Sequence, residues 1–183
     1  MSESGLAIFE TPIGTCGLAW QAEGLVGVLL PDRDSARTLS RLRQRHPGLE
    51  PTMPPDWVEQ AIGRMRALLS GQPDNLMSVP LDWSRVGAFE ASVLREARRI
   101  PPGSTLTYGE LAARIGDPGQ ARAVGGALGR NPWPIVVPCH RVTAAAGRAG
   151  GFSAPGGVST KLRLLEIEGA FAAERLPLFA SPT

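Results

Sequence analysis

The chain has 183 residues but only two cysteines and two histidines. Cys16 and Cys139 lie far apart, and two thiols are too few for a disulfide framework. A reducing, cytoplasmic setting is the expectation. The same scarcity disfavours a metal site. Two cysteines with His46 and His140, scattered along the chain, lack the spacing of zinc ligands. Long apolar runs are missing, so no membrane-spanning segment is expected. The opening "MSESGLAIFE" has an acidic flank and does not read as a signal peptide. Internal repeats and low-complexity tracts are missing too. What is present is a hydrophobic content of 43%, enough for a real core in one large domain or two small ones.

The net charge of +2 hides an asymmetry. Residues 1–84 carry 7 basic and 10 acidic side chains, and residues 85–183 carry 12 basic and 7 acidic. The second part is therefore positive, which suits a polyanion such as nucleic acid, although a solvated surface gives the same balance. Eleven of its twelve basic residues are arginine, whose planar head suits phosphate better than lysine does.

The first third reads as strands. "LAIFE", "TCGLAW" and "LVGVLL" are short apolar or alternating runs, parted by the turn-like "TPIG" and "QAEG". An antiparallel sheet is predicted. "DSARTLSRLRQRH" reads as a helix with Leu39 and Leu42 on one side. "PPDWVEQAIGRMRALLSG" reads as a second, with Val58, Ala61, Ile62, Met65, Leu68 and Leu69 as its apolar stripe and Gly71 as its end. "GQPDNLMSVPLDWS" resembles a linker with at most a short strand, and a domain boundary is expected near residue 84.

The second part reads as helical. "AFEASVLREARRI" places Phe89, Val93, Leu94 and Ile100 inward. Thr107 and Glu110 form a capping box that starts a helix at "TYGELAARIG". "DPGQ" repeats the logic, with Asp117 as N-cap, Pro118 in the first turn and Gln120 as the box partner. Two short helices joined at Gly116-Asp117 have a helix-turn-helix shape. The second contains Gly125, Gly126 and Gly129, each costing about 1 kcal/mol relative to alanine inside a helix. With Arg122 they share one face. Either that face packs tightly on the core, or it is bare so that DNA comes close to the backbone.

In "NPWPIVVPCHRV", residues 131–142, three prolines interrupt a β-branched run that ends in Cys139-His140. Val136 and Val137 suggest a short strand, and Pro138 stiffens the backbone beside the thiol. His140 and Arg141 add positive charge that would favour the thiolate. Neighbours in an extended segment point to opposite sides, so a direct Cys-His dyad is disfavoured while a base acting through water stays open.

"PCHRV", preceded by "ARAVGGALGRNPWPIVV" and by "IPPGSTLTYGELA", resembles the O6-alkylguanine-DNA alkyltransferases, also called methylated-DNA–protein-cysteine methyltransferases. The resemblance is close over residues 85–170 and looser over the N-terminal sheet. It implies an α+β fold: an N-terminal antiparallel-sheet (RNase H-like) domain, 1–84, and a C-terminal helical domain with a helix-turn-helix, 85–183. It implies a suicide repair protein that binds the minor groove of double-stranded DNA and flips out O6-alkylguanine. The alkyl group then passes irreversibly to Cys139. His140 matches the histidine that takes the thiol proton through water, Glu168 the carboxylate that orients it, and Asn131 the residue that ties the active-site turn. Arg122 matches the arginine that fills the hole left by the flipped nucleotide. Tyr108 matches the tyrosine that pushes on the target phosphate. Val142 and Ser153 match readers of the guanine edge. Ala123, Gly125 and Gly126 on the DNA-facing helix, with Trp133 and Phe152 near the base, complete the expected DNA- and substrate-binding set. No cofactor and no metal are required, and a monomer is expected.

Three departures from the family pattern stand out. Phe152 sits where most members have a tyrosine, so the hydroxyl is lost. The loop "SAPGGVST" is longer by about two residues, counted to Lys161. Trp133 replaces a small aliphatic between two prolines, and either touches the flipped base or packs. Other functions remain in view: an alkyltransferase-like module that binds lesions without transfer, a cysteine hydrolase, and a sequence-specific transcription factor. The glycine-rich face disfavours the last, because it has few side chains to read base edges.

Overall fold

The computed structural model describes residues 3–170. Three strands come first: β1 (Gly5–Thr11), β2 (Gly14–Gln21) and β3 (Gly24–Leu29). They form one antiparallel sheet in the order β1-β2-β3. Two tight turns supply the connections, as "TPIG" and "QAEG" predict. α1 (Ser35–Arg45) is capped by Asp34, whose carboxylate accepts the Arg37 N–H. It turns Thr38 and Leu42 into the core, while Leu39 is only half-buried. α2 (Asp56–Leu69) buries all six residues of the expected stripe.

The stretch read as a linker contains no strand of its own, but it is firmly held. Leu25 bridges to Leu81. The buried Arg98 guanidinium donates to the carbonyls of Leu76, Met77 and Val79 at 2.8, 3.2 and 2.7 Å. One arginine thus ties three carbonyls of this stretch to the helix that follows, beside the Val79 N–H bond to the Leu76 carbonyl.

α3 (Ala88–Arg98) buries Val93 and Leu94, and Ile100 follows it inward. Phe89 departs from expectation: it is 37% exposed, because it lies in the first turn, on the rim. α4 (Tyr108–Arg114) begins with the complete Thr107–Glu110 capping box, worth about 1 kcal/mol. α5 (Ala121–Gly129) does not start as expected. Asp117–Gln120 is a separate turn closed by the Gln120 N–H on the Asp117 carbonyl, and Gln120 is the N-cap without a side-chain bond. Val136 and Val137 are not a strand either. They sit in a turn that leads into a short 3-10 helix, Cys139–Arg141. The three prolines, of which Pro138 is buried, and one residue in the left-handed region, Ile135 at φ 78°, bend the chain where β-branching alone reads as extended.

After that turn, β5 (Val142–Thr143) pairs in parallel with β4 (Leu106–Thr107). This two-stranded ladder lays the Cys139 segment beside the start of α4. α6 (Gly157–Ile167) closes the described chain, so half of the expected long loop is helix. A single cluster of buried side chains runs from Trp20 and Leu25 in the sheet, through Met65, Val93 and Leu111, to Val137 and Cys139. Val28 N–H donates to the Pro132 carbonyl at 2.8 Å, tying β3 to the active-site turn. Among the described residues no helix is long and apolar enough to cross a membrane. The part of the expected 85–183 unit beyond residue 170 lies outside the described residues.

Candidate active site around Cys139

The turn before Cys139 is clasped by Asn131. Its side-chain nitrogen donates to the Val137 carbonyl at 2.8 Å, and its oxygen accepts the Trp133 N–H at 3.0 Å. A second bond, from Val137 N–H to the Trp133 carbonyl at 2.7 Å, closes the loop. This clasp holds Ile135 in the left-handed region, a conformation costing about 1–2 kcal/mol for a non-glycine residue. The thiol is presented at a fixed depth, on a residue that is 9% exposed.

Trp133 is a core residue, contrary to its place in the expected substrate set. It is 1% exposed, donates its indole N–H to the Leu25 carbonyl at 2.7 Å, and meets Trp83 edge-on at 4.8 Å. Its neighbours Pro132 and Pro134 reach the Cys139 cavity instead. The large indole fills the space between the sheet and the turn.

Burial raises the Cys139 thiol pKa. The Asn131 side chain, the Lys161 charge and backbone N–H groups pull the other way. The cation that acts on the sulfur is thus Lys161, not His140 or Arg141. Those two face Glu168. His140 Nε2 lies 2.9 Å from Glu168 Oε1, and Arg141 donates to both carboxylate oxygens at 2.8 Å. Arg141 also donates to the Ile100 carbonyl at 2.5 Å. Burial would push Glu168 up, but the hydrogen bonds from His140 and Arg141 win and hold its pKa at about 2. Burial also lowers the His140 pKa, against the pull of Glu168.

These facts fix the tautomer. An ionised carboxylate only accepts, so His140 carries its proton on Nε2. A neutral ring then leaves Nδ1 as an acceptor. Nδ1 is buried and has no protein partner among the described residues. Cys139 and His140 diverge as expected, on a 3-10 turn rather than a strand.

Lys161 is the residue that sequence reading undervalued. It is the chain's single lysine, fully buried, and donates to the Val142 and Gly151 carbonyls. Burial lowers its pKa to about 8, with the Cys139 charge as the opposing influence. A lone lysine in an arginine-rich half was the available signal. Val142 is buried, and its carbonyl is engaged by Lys161.

The glycine face of α5 does not pack on the core. A side chain at Gly129 would meet nothing, and one at Gly125 would touch only the Tyr108 ring at 3.8 Å. Arg122 is exposed, Ala123 is half-buried, and Gly126 is exposed. Tyr108, Arg122, Gly125, Phe152 and Ser153 line a cavity of 560 Å³ that reaches Cys139. Gly150, at φ 74°, lets the loop pass under Tyr108, where a Cβ would stand 2.9 Å from the ring. Ser153 donates to the Gly129 carbonyl at 2.9 Å and so pins the loop to the end of α5. The site thus gathers Cys139, Asn131, Tyr108, Arg122, Gly125, Phe152 and Ser153. His140 and Glu168 lie behind it, and Ala123, Gly126, Trp133 and Val142 lie outside its lining. No group of three or more His, Cys, Asp or Glu among the described residues could hold a metal ion.

Fold and site define a mixed α/β protein that presents one clasped cysteine beneath a bare helix face. The model of the 6-O-methylguanine DNA methyltransferase DNA-binding domain matches residues 88–170. A methylated-DNA–protein-cysteine methyltransferase of Methanothermobacter thermautotrophicus is 38% identical over 86% of this chain and 81% of its own. One of Methanosarcina acetivorans is 37% identical over 90% and 97%. The solved structure of Mycobacterium tuberculosis OGT in complex with DNA superposes with a TM-score of 0.72 at 32% identity, covering 91% of this chain and 93% of that one. The chain belongs to the methylated-DNA–protein-cysteine methyltransferase family.

Proposed function

We propose that this protein repairs duplex DNA by moving the alkyl group of O6-alkylguanine irreversibly onto Cys139. The observation that carries the reading is the Cys139 thiol at the floor of a cavity that opens beside the bare glycine face of α5. α4 and α5 act as a helix-turn-helix, with α5 against the minor groove. Residues 1–84 form an RNase H-like unit, in which three antiparallel strands precede a packed helix. Residues 85–183 form the DNA-binding and alkyl-acceptor unit. The protein works as a cytoplasmic monomer, where the thiol stays reduced.

The target atom cannot be reached in stacked duplex, so the guanine is flipped out at a cost of a few kcal/mol, offset by the cavity. Arg122, exposed on α5, fills the hole, and Tyr108 at the cavity wall presses on the phosphate. The thiol proton passes through one water to His140 Nδ1, the acceptor left free by the Nε2–Glu168 bond. The sulfur attacks the alkyl carbon in line, an S–C bond forms, the C–O bond breaks, and its electron pair goes to guanine O6. The proton returns to the guanine ring. A thioether has no good leaving group, so one protein repairs one lesion. Phe152 contributes a stacking ring but no hydroxyl, so leaving-group assistance falls to backbone N–H donors, since the Ser153 hydroxyl proton is held by the Gly129 carbonyl.

The test is mass spectrometry after incubation with duplex DNA bearing one O6-methylguanine, beside Cys139→Ser. The expected result is one methyl on the Cys139 peptide, stoichiometric and absent from the variant. Tight lesion-selective binding without an adduct would sink the transfer reading. It would instead favour a lesion-binding module, for which the buried, raised-pKa thiol is the supporting observation.

A further inference from the structure

The space at Cys139 opens in two directions. One is the cavity beneath α5. The other is a groove of 400 Å³ between the sheet and the end of α5, which shares Cys139, Phe152 and Ser153 with the first. Its lining is apolar at Pro132 and Pro134 and cationic at Arg41, Arg45 and Arg130, with the His46 ring beside them. Arg41 is paired with Asp32 at 2.8 Å, and Arg130 with Glu90 at 2.6 Å. Arg45 has no carboxylate partner among the described residues. Burial, Arg45 and Arg85 together lower the His46 pKa, as expected in a field left positive. The imidazole fits only because position 27 is glycine: a Cβ there would stand 2.3 Å from Nε2.

A methyl group makes no use of such a groove. We propose that the groove receives the tail of the O6 substituent, and that this protein favours substituents ending in a carboxylate. The inference rests on the transfer reaction proposed above. The base sits beneath α5, the reacting carbon stands at the sulfur, and the chain beyond it runs over the two prolines toward Arg45. The reaction is unchanged. The S–C bond forms, the C–O6 bond breaks with its electrons on guanine, and the thiol proton ends on the guanine ring. The product is an S-carboxyalkyl cysteine whose carboxylate remains in the positive field.

The experiment compares single-turnover transfer from three duplexes, carrying O6-(3-carboxypropyl)guanine, O6-(3-carbamoylpropyl)guanine or O6-methylguanine. The first two have nearly the same shape, and two methylenes separate the charge from the reacting carbon. The wild-type protein is expected to take the carboxylate about fivefold faster than the amide, the size of one solvent-screened ion pair. The ratio falls toward one in Arg45→Gln, with methyl transfer unchanged, and also at high salt, where weaker DNA binding slows all three duplexes alike and only the ratio is read. A ratio of one in a protein active on the methyl substrate overturns this inference alone. An equal loss on all three duplexes in Arg45→Gln overturns it by placing a DNA phosphate in the groove. Inactivity of the wild-type protein on the methyl substrate overturns both this inference and the transfer reading beneath it.

Discussion

Replacing Glu168 by glutamine removes the carboxylate that two neighbours share. Arg141 and Glu168 are 1% and 3% exposed, so solvent cannot take over the lost partner. The size of the effect follows in two ways. A carboxyl held at about 2 instead of its usual 4.5 contributes about 3 kcal/mol of stability at neutral pH. Breaking a buried ion pair from one side costs about 3–5 kcal/mol, because it leaves the other charge uncompensated. Glu168→Gln should therefore lower the melting temperature by roughly 6–20 °C for a domain of this size. The dependence on pH is the sharper test. The folded chain binds this proton less readily than the unfolded one. The contribution is full above about pH 4.5 and is lost as pH falls from there toward 2. Urea denaturation of both proteins at several pH values should show a deficit of about 3 kcal/mol near neutrality that closes as the acid limb is entered. A neutral-pH deficit below about 1 kcal/mol, or one that stays constant into the acid range, would refute the reasoning.

Three further outcomes are expected. The single lysine, Lys161, should titrate with a midpoint of about 8 in the folded protein, read from its one side-chain NMR resonance, and move to its ordinary range on unfolding. Burial lowers that pKa, so the charged form is penalised in the folded state and stability should rise as pH increases from about 8 toward 10.5. Gly126→Ala should stabilise α5 by about 0.5–1 kcal/mol, since the nearest atom to the new Cβ is a flexible Arg130 nitrogen at 3.6 Å. Its DNA affinity, measured by fluorescence anisotropy, should fall, and an unchanged affinity would count against α5 as the DNA face. Cys16, whose thiol burial pushes up to about 12, should resist iodoacetamide at neutral pH until the protein unfolds.

Periodicity sufficed where one element faces one core. The six-residue stripe of α2 is complete because a helix with a single buried face repeats every three to four residues. The capping box at Thr107 was equally legible, since its partners lie within one turn. Reading failed where the outcome depended on distant groups. Val136 and Val137 have strand-like side chains, yet the Asn131 clasp and the sheet behind Trp133 bend them into a turn. Phe89 looked inward by spacing, but the rim position of the α3 first turn leaves it in solvent.

The amino-acid sequence by itself determined the strand order, most helices, the family and the identity of the candidate nucleophile. Each of these rests on local patterns or on a run of adjacent motifs. Tertiary structure alone decided the electrostatics. It buried Cys139 so that its pKa rises, added Arg141 to the Glu168 carboxylate that the resemblance pairs with His140, and brought Lys161 from α6 close enough to act on the thiol. It also set arginines of α1 beside a cavity that ends at residue 139. Charge and desolvation act through space, and residues far apart in the chain meet only once the core has closed.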